Sequence, residues 1–214
     1  MQFKDIIGQE VIANRLTEII DQGRVSHAQM FLGSTSSGSL ALAIAYAQYL
    51  SCSNRQHFVN TPLRADSCGQ CPSCRKFQQL SHPDLHFYFP NAAKEKMKNS
   101  SSVSSADYQD EFREFLMQHD QLGTVDQWYQ HLDIEKKQVI IRDSDASNLV
   151  HTLSLTSYEG KYKMVIVWMA EKMNGIMANK ILKTLEEPNP QTLILLVVEN
   201  SERMLSTIIS RTQL

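Results

Sequence analysis

Apolar residues at Val11, Ile12, Leu16, Ile19 and Ile20 recur with the spacing of one helix face, and Gly23 ends the run. Ala28 to Leu32 then reads as a short buried strand, and Leu40 to Leu50, dense in Ala, Leu and Tyr, as a second helix. A Gly- and Ser-rich turn joins them. Residues Cys52 to Cys74 have no period and are broken by Pro62, Gly69 and Pro72, so they cannot build a core of their own and need a staple. Leu85 to Phe89 alternates as a strand closed by Pro90. The Lys- and Ser-rich run from Asn91 to Ser105 reads as a mobile loop.

Beyond it, Tyr108, Phe112, Phe115 and Leu116 mark one face of a short helix, and Trp128, Tyr129 and Leu132 indicate another. Val139 to Ile141 is a short extended piece, followed by a helix from about Ser144 to Leu155. "KMVIVWMA" and "TLILLVVE" are continuous apolar runs of the kind buried on both faces of a parallel sheet. Between them "NGIMANKILKTLEEP" places Met177, Ile181, Leu182 and Leu185 on one helical face before Pro188 stops it. Strands and helices alternate throughout, which predicts an α/β fold with a mainly parallel sheet covered on both faces.

The chain has 214 residues, of which 42% are apolar, enough for one sizeable domain. Its net charge of -2 gives no broad footprint for nucleic acid or an anionic membrane, so any DNA contact comes from a local patch or through a partner. No apolar run is long enough to span a bilayer and no secretory leader opens the chain, which makes the cytoplasm the expected location. The chain stops abruptly at "SRTQL", as a fragment cut after one domain would.

The cysteines add the first candidate chemistry. Cys52, Cys68, Cys71 and Cys74 form C-x15-C-x2-C-x2-C. Two successive C-x2-C spacings turn three thiolates inward over a tight knuckle, and the fourth comes from the end of the preceding helix. Four sulfur ligands leave no open position for water, the pattern of structural zinc; reduced, unliganded thiols are the alternative. His57, His82 and His86 are nearby competitors that break the spacing.

The turn after the first strand adds the second. "GSTSSGSL" keeps Gly33 and Gly38 of the phosphate-loop pattern GxxxxGK[ST], but Ser39 stands where Lys should be and Leu40 where Ser or Thr should be. A working site also needs carboxylates at the end of a buried strand to hold magnesium, and Trp168 and Met169 occupy those positions. Losing the cation, the hydroxyl and both carboxylates leaves no route to metal-assisted phosphoryl transfer, so no ATP is expected as a cofactor. A bare backbone anion site and a structural relic both remain open for the loop. Glu186 and Glu187 lie in the last turn of a helix and oppose its macrodipole, by about 0.3–1 kcal/mol each. A tertiary hydrogen bond or plain solvation would offset that.

Taken together, "DIIGQE", "SHAQMFLG", the four-cysteine module, "HPD", "SYEGKYKMVIVWMAEKM", "ANKILKTLEEPNP" and "TIISRT" resemble, in this order, the clamp-loader branch of the AAA+ ATPases, and within it the delta-prime subunits of bacterial DNA polymerase III. The resemblance covers most of the chain except roughly residues 91–135. It implies a parallel-sheet P-loop (AAA+, RecA-like) domain over 1–214 with a zinc module inserted at 52–80 and a variable insert at 91–135, the lid and collar domains lying outside this chain. It further implies a non-hydrolysing scaffold in a ring with gamma/tau and delta subunits, which places a sliding clamp on primer-template DNA. Arg211 resembles an arginine finger that enters a neighbouring subunit's ATP site, although Thr212 stands where the family has Cys. The defects at Ser39, Leu40, Trp168 and Met169 favour this reading over a catalytic gamma/tau-type ATPase. A stand-alone zinc-ribbon nucleic-acid binder would have to rely on Arg64, Arg75, Lys76 and Phe77.

Overall fold

In the computed structural model, residues 1–35, 37–94 and 103–214 are described. Four parallel strands form the central sheet: β1 (Ala28–Leu32), β4 (Leu85–Tyr88), β5 (Lys163–Trp168) and β6 (Thr192–Val198), in the order β1-β6-β5-β4. The chain therefore leaves β1 for the far edge and returns inward, strand by strand, until β6 lies beside β1. Such a sheet needs helical crossovers, and α1 (Glu10–Asp21), α2 (Ser39–Ser51), α6 (Asp143–Ser154) and α7 (Gly175–Glu186) supply its two covering layers.

The continuous apolar runs resolve into two cores because successive strand residues point to opposite faces. Met164, Ile166, Trp168, Leu193, Leu195 and Val197 pack toward α1, α2 and residues 103–134, whereas Val165, Val167, Ile194, Leu196 and Val198 pack toward α6 and α7. Every residue of α2 from Leu40 to Tyr49 is buried, as its lack of any charged face requires. On α7 the buried set is Met177, Ala178, Ile181 and Leu185, while Leu182 stays at the margin of the core.

Between α2 and β4 the cysteine segment forms a two-stranded antiparallel ladder, β2 (Gln56–His57) with β3 (Ala65–Asp66), and the short helix α3 (Pro72–Gln78). It is docked on the chain start: buried Asp66 accepts from the amides of Phe3 and Lys4, and the Gln2 side chain donates to the Ser67 carbonyl.

Residues 103–135 contain α4 (Gln109–Gln118) and α5 (Val125–Leu132). Phe112, Phe115, Leu116, Trp128 and Leu132 are all buried, and the Trp128 indole donates to the Pro90 carbonyl at 2.8 Å. The mobile-loop reading of Asn91 to Ser105 is corrected at both ends. Asn91 is buried and bridged to Ile140, and Ser105 is pinned by Asp145 and by Phe89. Hydrogen-bonding side chains, rather than apolar periodicity, fix these ends. Residues 95–102 of that reading lie outside the described ones. The short α8 (Ser206–Ile209) leads to Arg211, and Gln213 then bridges to Gln29 of β1.

Candidate functional site

The loop after β1 is built around two glycines. A Cβ on Gly33 would lie 2.3 Å from the Ser37 hydroxyl and 2.4 Å from that of Ser39, which are themselves 2.6 Å apart. Gly38 has a φ of 73°, a left-handed turn into α2 that a side chain would strain. The backbone thus keeps the strand, turn and helix of a phosphate loop. Its contents differ. Ser39 closes onto Ser37, Leu40 is buried, and Trp168 and Met169 are both buried at the end of β5. Met169 itself adopts a left-handed φ of 55°.

The Trp168 ring faces Phe112 at 5.6 Å and Phe115 at 6.1 Å, so an aromatic cluster fills the volume that metal-holding carboxylates would need. The space left at the loop is about 20 Å³, lined by Gly33, Gly38, Ser39, Leu122, Trp168 and Glu199 among others. That is room for about one water. Among the described residues no Lys or Arg lines it. Burial raises the Glu199 carboxyl above its ordinary range, a bond from Thr35 opposes that rise, and repulsion from Glu171 adds to it. An acidic group at the rim and a missing cation both disfavour phosphate.

The four cysteines come together as their spacing predicts. Their sulfurs all lie within 4.8 Å of one another, and Cys68 and Cys74 are 3.9 Å apart. Four sulfurs at about 2.3 Å around one ion would be separated by roughly 3.8 Å. All four are free thiols. Backbone amides point at them: Cys68 N–H at the Cys52 sulfur, Gln70 and Cys71 N–H at Cys68, and Cys74 N–H at Cys71. Such donors favour thiolate over thiol. At Cys71 burial works the other way, but the amides of Cys74 and Ser53 prevail and bring the thiol down to about 6; burial pushes Cys52 and Cys74 up. The donor set and geometry suit a closed tetrahedral ion, and this is the one metal-competent cluster of three or more such residues among the described ones. None of the three competing histidines joins it. His57 lies by Asp21, His82 by Glu159, and the buried Nε2 of His86 has no hydrogen-bond partner among the described residues.

Asp84 was invisible to spacing arguments yet is a heavily bonded carboxylate. Fully buried, it accepts from the amides of Tyr158, Glu159 and Gly160 and pairs with Lys163 at 2.9 Å. Burial alone would raise its pKa, but these four donors bring it down to about 2. The adjacent His82 receives the Asp84 amide on Nδ1, faces Glu159 through Nε2, and lies 4.6 Å from the Phe77 ring. Burial lowers its pKa and so favours the neutral ring. "HPD" is therefore a clip joining α3, β4 and the turn before β5. Its cue in the sequence is a short motif whose partners at 158–163 lie more than 70 positions away.

Arg211 projects from the end of α8. Its guanidinium donates to the Thr207 carbonyl at 2.9 Å and the Ser210 hydroxyl at 3.3 Å, and pairs with Glu186 at 2.7 Å. This explains one of the two carboxylates at the end of α7, since a fixed cation offsets the unfavourable dipole there. Both partners are partly exposed, so the pair orients more than it stabilises. Arg211 does not line this chain's own loop. The zinc-ribbon alternative loses its aromatic: Phe77 is fully buried.

A parallel α/β sheet with a strand–glycine turn–helix unit, in which Ser39 and Leu40 stand where a phosphate loop has Lys and Ser or Thr, defines an α/β domain of phosphate-loop form. The family described as "DNA polymerase III, delta subunit" matches residues 8–214, and the chain belongs to it. DNA polymerase III subunit delta' of Bacillus subtilis is 27% identical over 205 residues, covering 96% of this chain and 46% of that protein. Subunit delta' of Pseudomonas aeruginosa is 29% identical over 191 residues, covering 88% and 43%. Subunit tau of Escherichia coli is 22% identical over 209 residues, covering 98% and 24%. The chain thus spans less than half the length of these relatives.

Proposed function

We propose that the protein is a non-hydrolysing scaffold subunit of the replication clamp loader. In this reading it acts in the cytoplasm with gamma/tau and delta subunits, contacts the sliding clamp and primed DNA through the complex, and carries a structural zinc on Cys52, Cys68, Cys71 and Cys74. The observation that carries the reading is the loop itself: the strand, turn and helix of a phosphate loop are kept, while Ser39, Leu40 and Trp168 line its small residual space and Met169 is buried at the end of β5. The delta' names of the more similar relatives support it further. Residues 52–80 and 91–135 are then inserts into one domain spanning 1–214.

The alternative, a gamma/tau-type ATPase, is separated by calorimetry with ATP and magnesium. No binding is expected, and Ser39→Lys alone is expected to create no hydrolysis, because Trp168 and Met169 still leave the metal without carboxylates. Tight magnesium-dependent binding by the unaltered protein would favour the ATPase instead.

Arg211 is assigned as an arginine finger acting in trans. Its guanidinium is held at a surface position away from its own loop, and a planar fork suits phosphate oxygens. Fingers supplied in trans contribute about 10³–10⁵ in rate in GTPases, but only one of several sites would be affected here. Arg211→Ala in the full-length protein, reconstituted with its partners, is expected to leave assembly intact, slow clamp loading and lower total ATP turnover modestly. Arg211→Lys should rescue little. Wild-type loading and turnover in the alanine variant would return Arg211 to a structural role.

A further inference from the structure

The turn between α4 and α5 lies directly over the loop. Gln121, Leu122 and Gly123 line the residual 20 Å³ together with Gly33, Gly38 and Ser39, and a Cβ on Gly38 would stand 3.6 Å from the Leu122 side chain. Three features mark this turn as built for its position. Asp120 and Gln121 are consecutive non-glycine residues with positive φ, 49° and 61°, a strained pair that persists only where its surroundings over-determine it. Gly123 is required by packing, since a Cβ there would meet the Phe115 ring at 2.4 Å. Gln121 lines this pocket and is 7% exposed, and its buried side-chain oxygen has no hydrogen-bond partner among the described residues.

The turn is held from behind by the aromatic wedge. Phe115 packs at 5.3 Å from Trp128 and both Phe112 and Phe115 reach Trp168, so the position of the turn is tied to the end of β5. Gln121 and the apolar Leu122 thus line the loop's residual space, where an open phosphate loop would present bare backbone N–H groups to an anion.

We infer that residues 120–123 are a built-in occupant of the loop: the insert fills the anion cradle in cis and holds strand, loop and helix in one closed arrangement. The inference is independent of the Arg211 assignment. It gives the insert a task that its sequence alone does not reveal, and it separates two causes of lost nucleotide binding, the missing lysine and the covered cradle.

The test uses the full-length protein and two ways of displacing the turn. Leu122→Gly removes a half-exposed side chain, and Gly123→Ala pushes the turn away through the Phe115 clash. Hydrogen exchange at the amides of Ser34, Thr35 and Ser37 is expected to speed up by about tenfold or more in both variants, with β5 and β6 unchanged. Inorganic pyrophosphate, followed by calorimetry, is expected to bind Ser39→Lys/Leu122→Gly at least about tenfold more tightly than Ser39→Lys with the native turn. Unchanged exchange at the loop in both turn variants, or equal pyrophosphate affinity with the native and the opened turn, would overturn the inference.

Discussion

Asp84→Asn is expected to destabilise the protein by about 3–5 kcal/mol, the cost of leaving a buried partner charge uncompensated. For a chain of this length that corresponds to a fall of roughly 6–20 °C in melting temperature. The change preserves the shape of the side chain, yet Lys163, only 8% exposed at its side chain, loses its counter-ion, and three backbone amides lose a charged acceptor. Lys163→Met placed on top of Asp84→Asn should recover part of the loss, because it removes the stranded cation. If the double variant melts below the single one, the clip is not electrostatic. A pH profile gives a second check. The Asp84 carboxyl titrates at about 2 in the folded protein against 3.8 ordinarily, so its contribution is fully present above about pH 4 and is lost as pH falls through 2. Asp84→Asn should flatten that part of the acid-unfolding curve, and an unaltered curve would refute the assignment.

Cys74→Ser is expected to have the largest effect on composition, lowering zinc from about one equivalent to near none, because a closed four-sulfur site that loses one thiolate loses its tetrahedral set. Structural zinc in small modules corresponds to about 10–16 kcal/mol of apparent binding at pH 7, so little of residues 52–80 should stay ordered without it. Cys74 is fully buried, and the ladder of β2 and β3 offers only two paired residues on each strand to replace the staple. The parallel sheet should survive, since its two cores contain none of the cysteines. Elemental analysis measures the metal, and hydrogen exchange should show deprotection confined to the module and the Phe3 and Lys4 amides docked on it. Wild-type protein that carries no metal when purified without chelator would remove the zinc proposal altogether.

Much of the layered fold was legible in the sequence because it rests on short-range pattern. The runs "KMVIVWMA" and "TLILLVVE" are too apolar to face water on either side, which compels central parallel strands, and β5 and β6 occupy those runs. The cysteine set was equally legible, since C-x2-C spacing fixes how close thiolates lie before any long-range contact forms, and the sulfurs do converge. Ser39 at the lysine position and the Trp168–Met169 pair could be read from residue type alone, and the structure adds that Trp168 and Met169 are buried at the end of β5.

What needed the tertiary structure was every feature whose partners are far apart along the chain. Asp84 gains its meaning from amides at 158–160 and a lysine at 163, brought together by the parallel pairing of β4 with β5. The aromatic residues of the insert gave a helix period but no target, because periodicity specifies a buried face and not what covers it. Only the folded chain brings Phe112 and Phe115 against Trp168 and the turn at 120–123 over the loop. Likewise two carboxylates at the end of α7 could be recognised as unfavourable, yet the cation that offsets one of them, Arg211, lies 25 positions on and arrives only through the packing of α8 against α7. Sequence spacing determines what residues within a few turns of each other can do; the pairing of distant charges and the filling of a cradle depend on loop closures that no local period encodes.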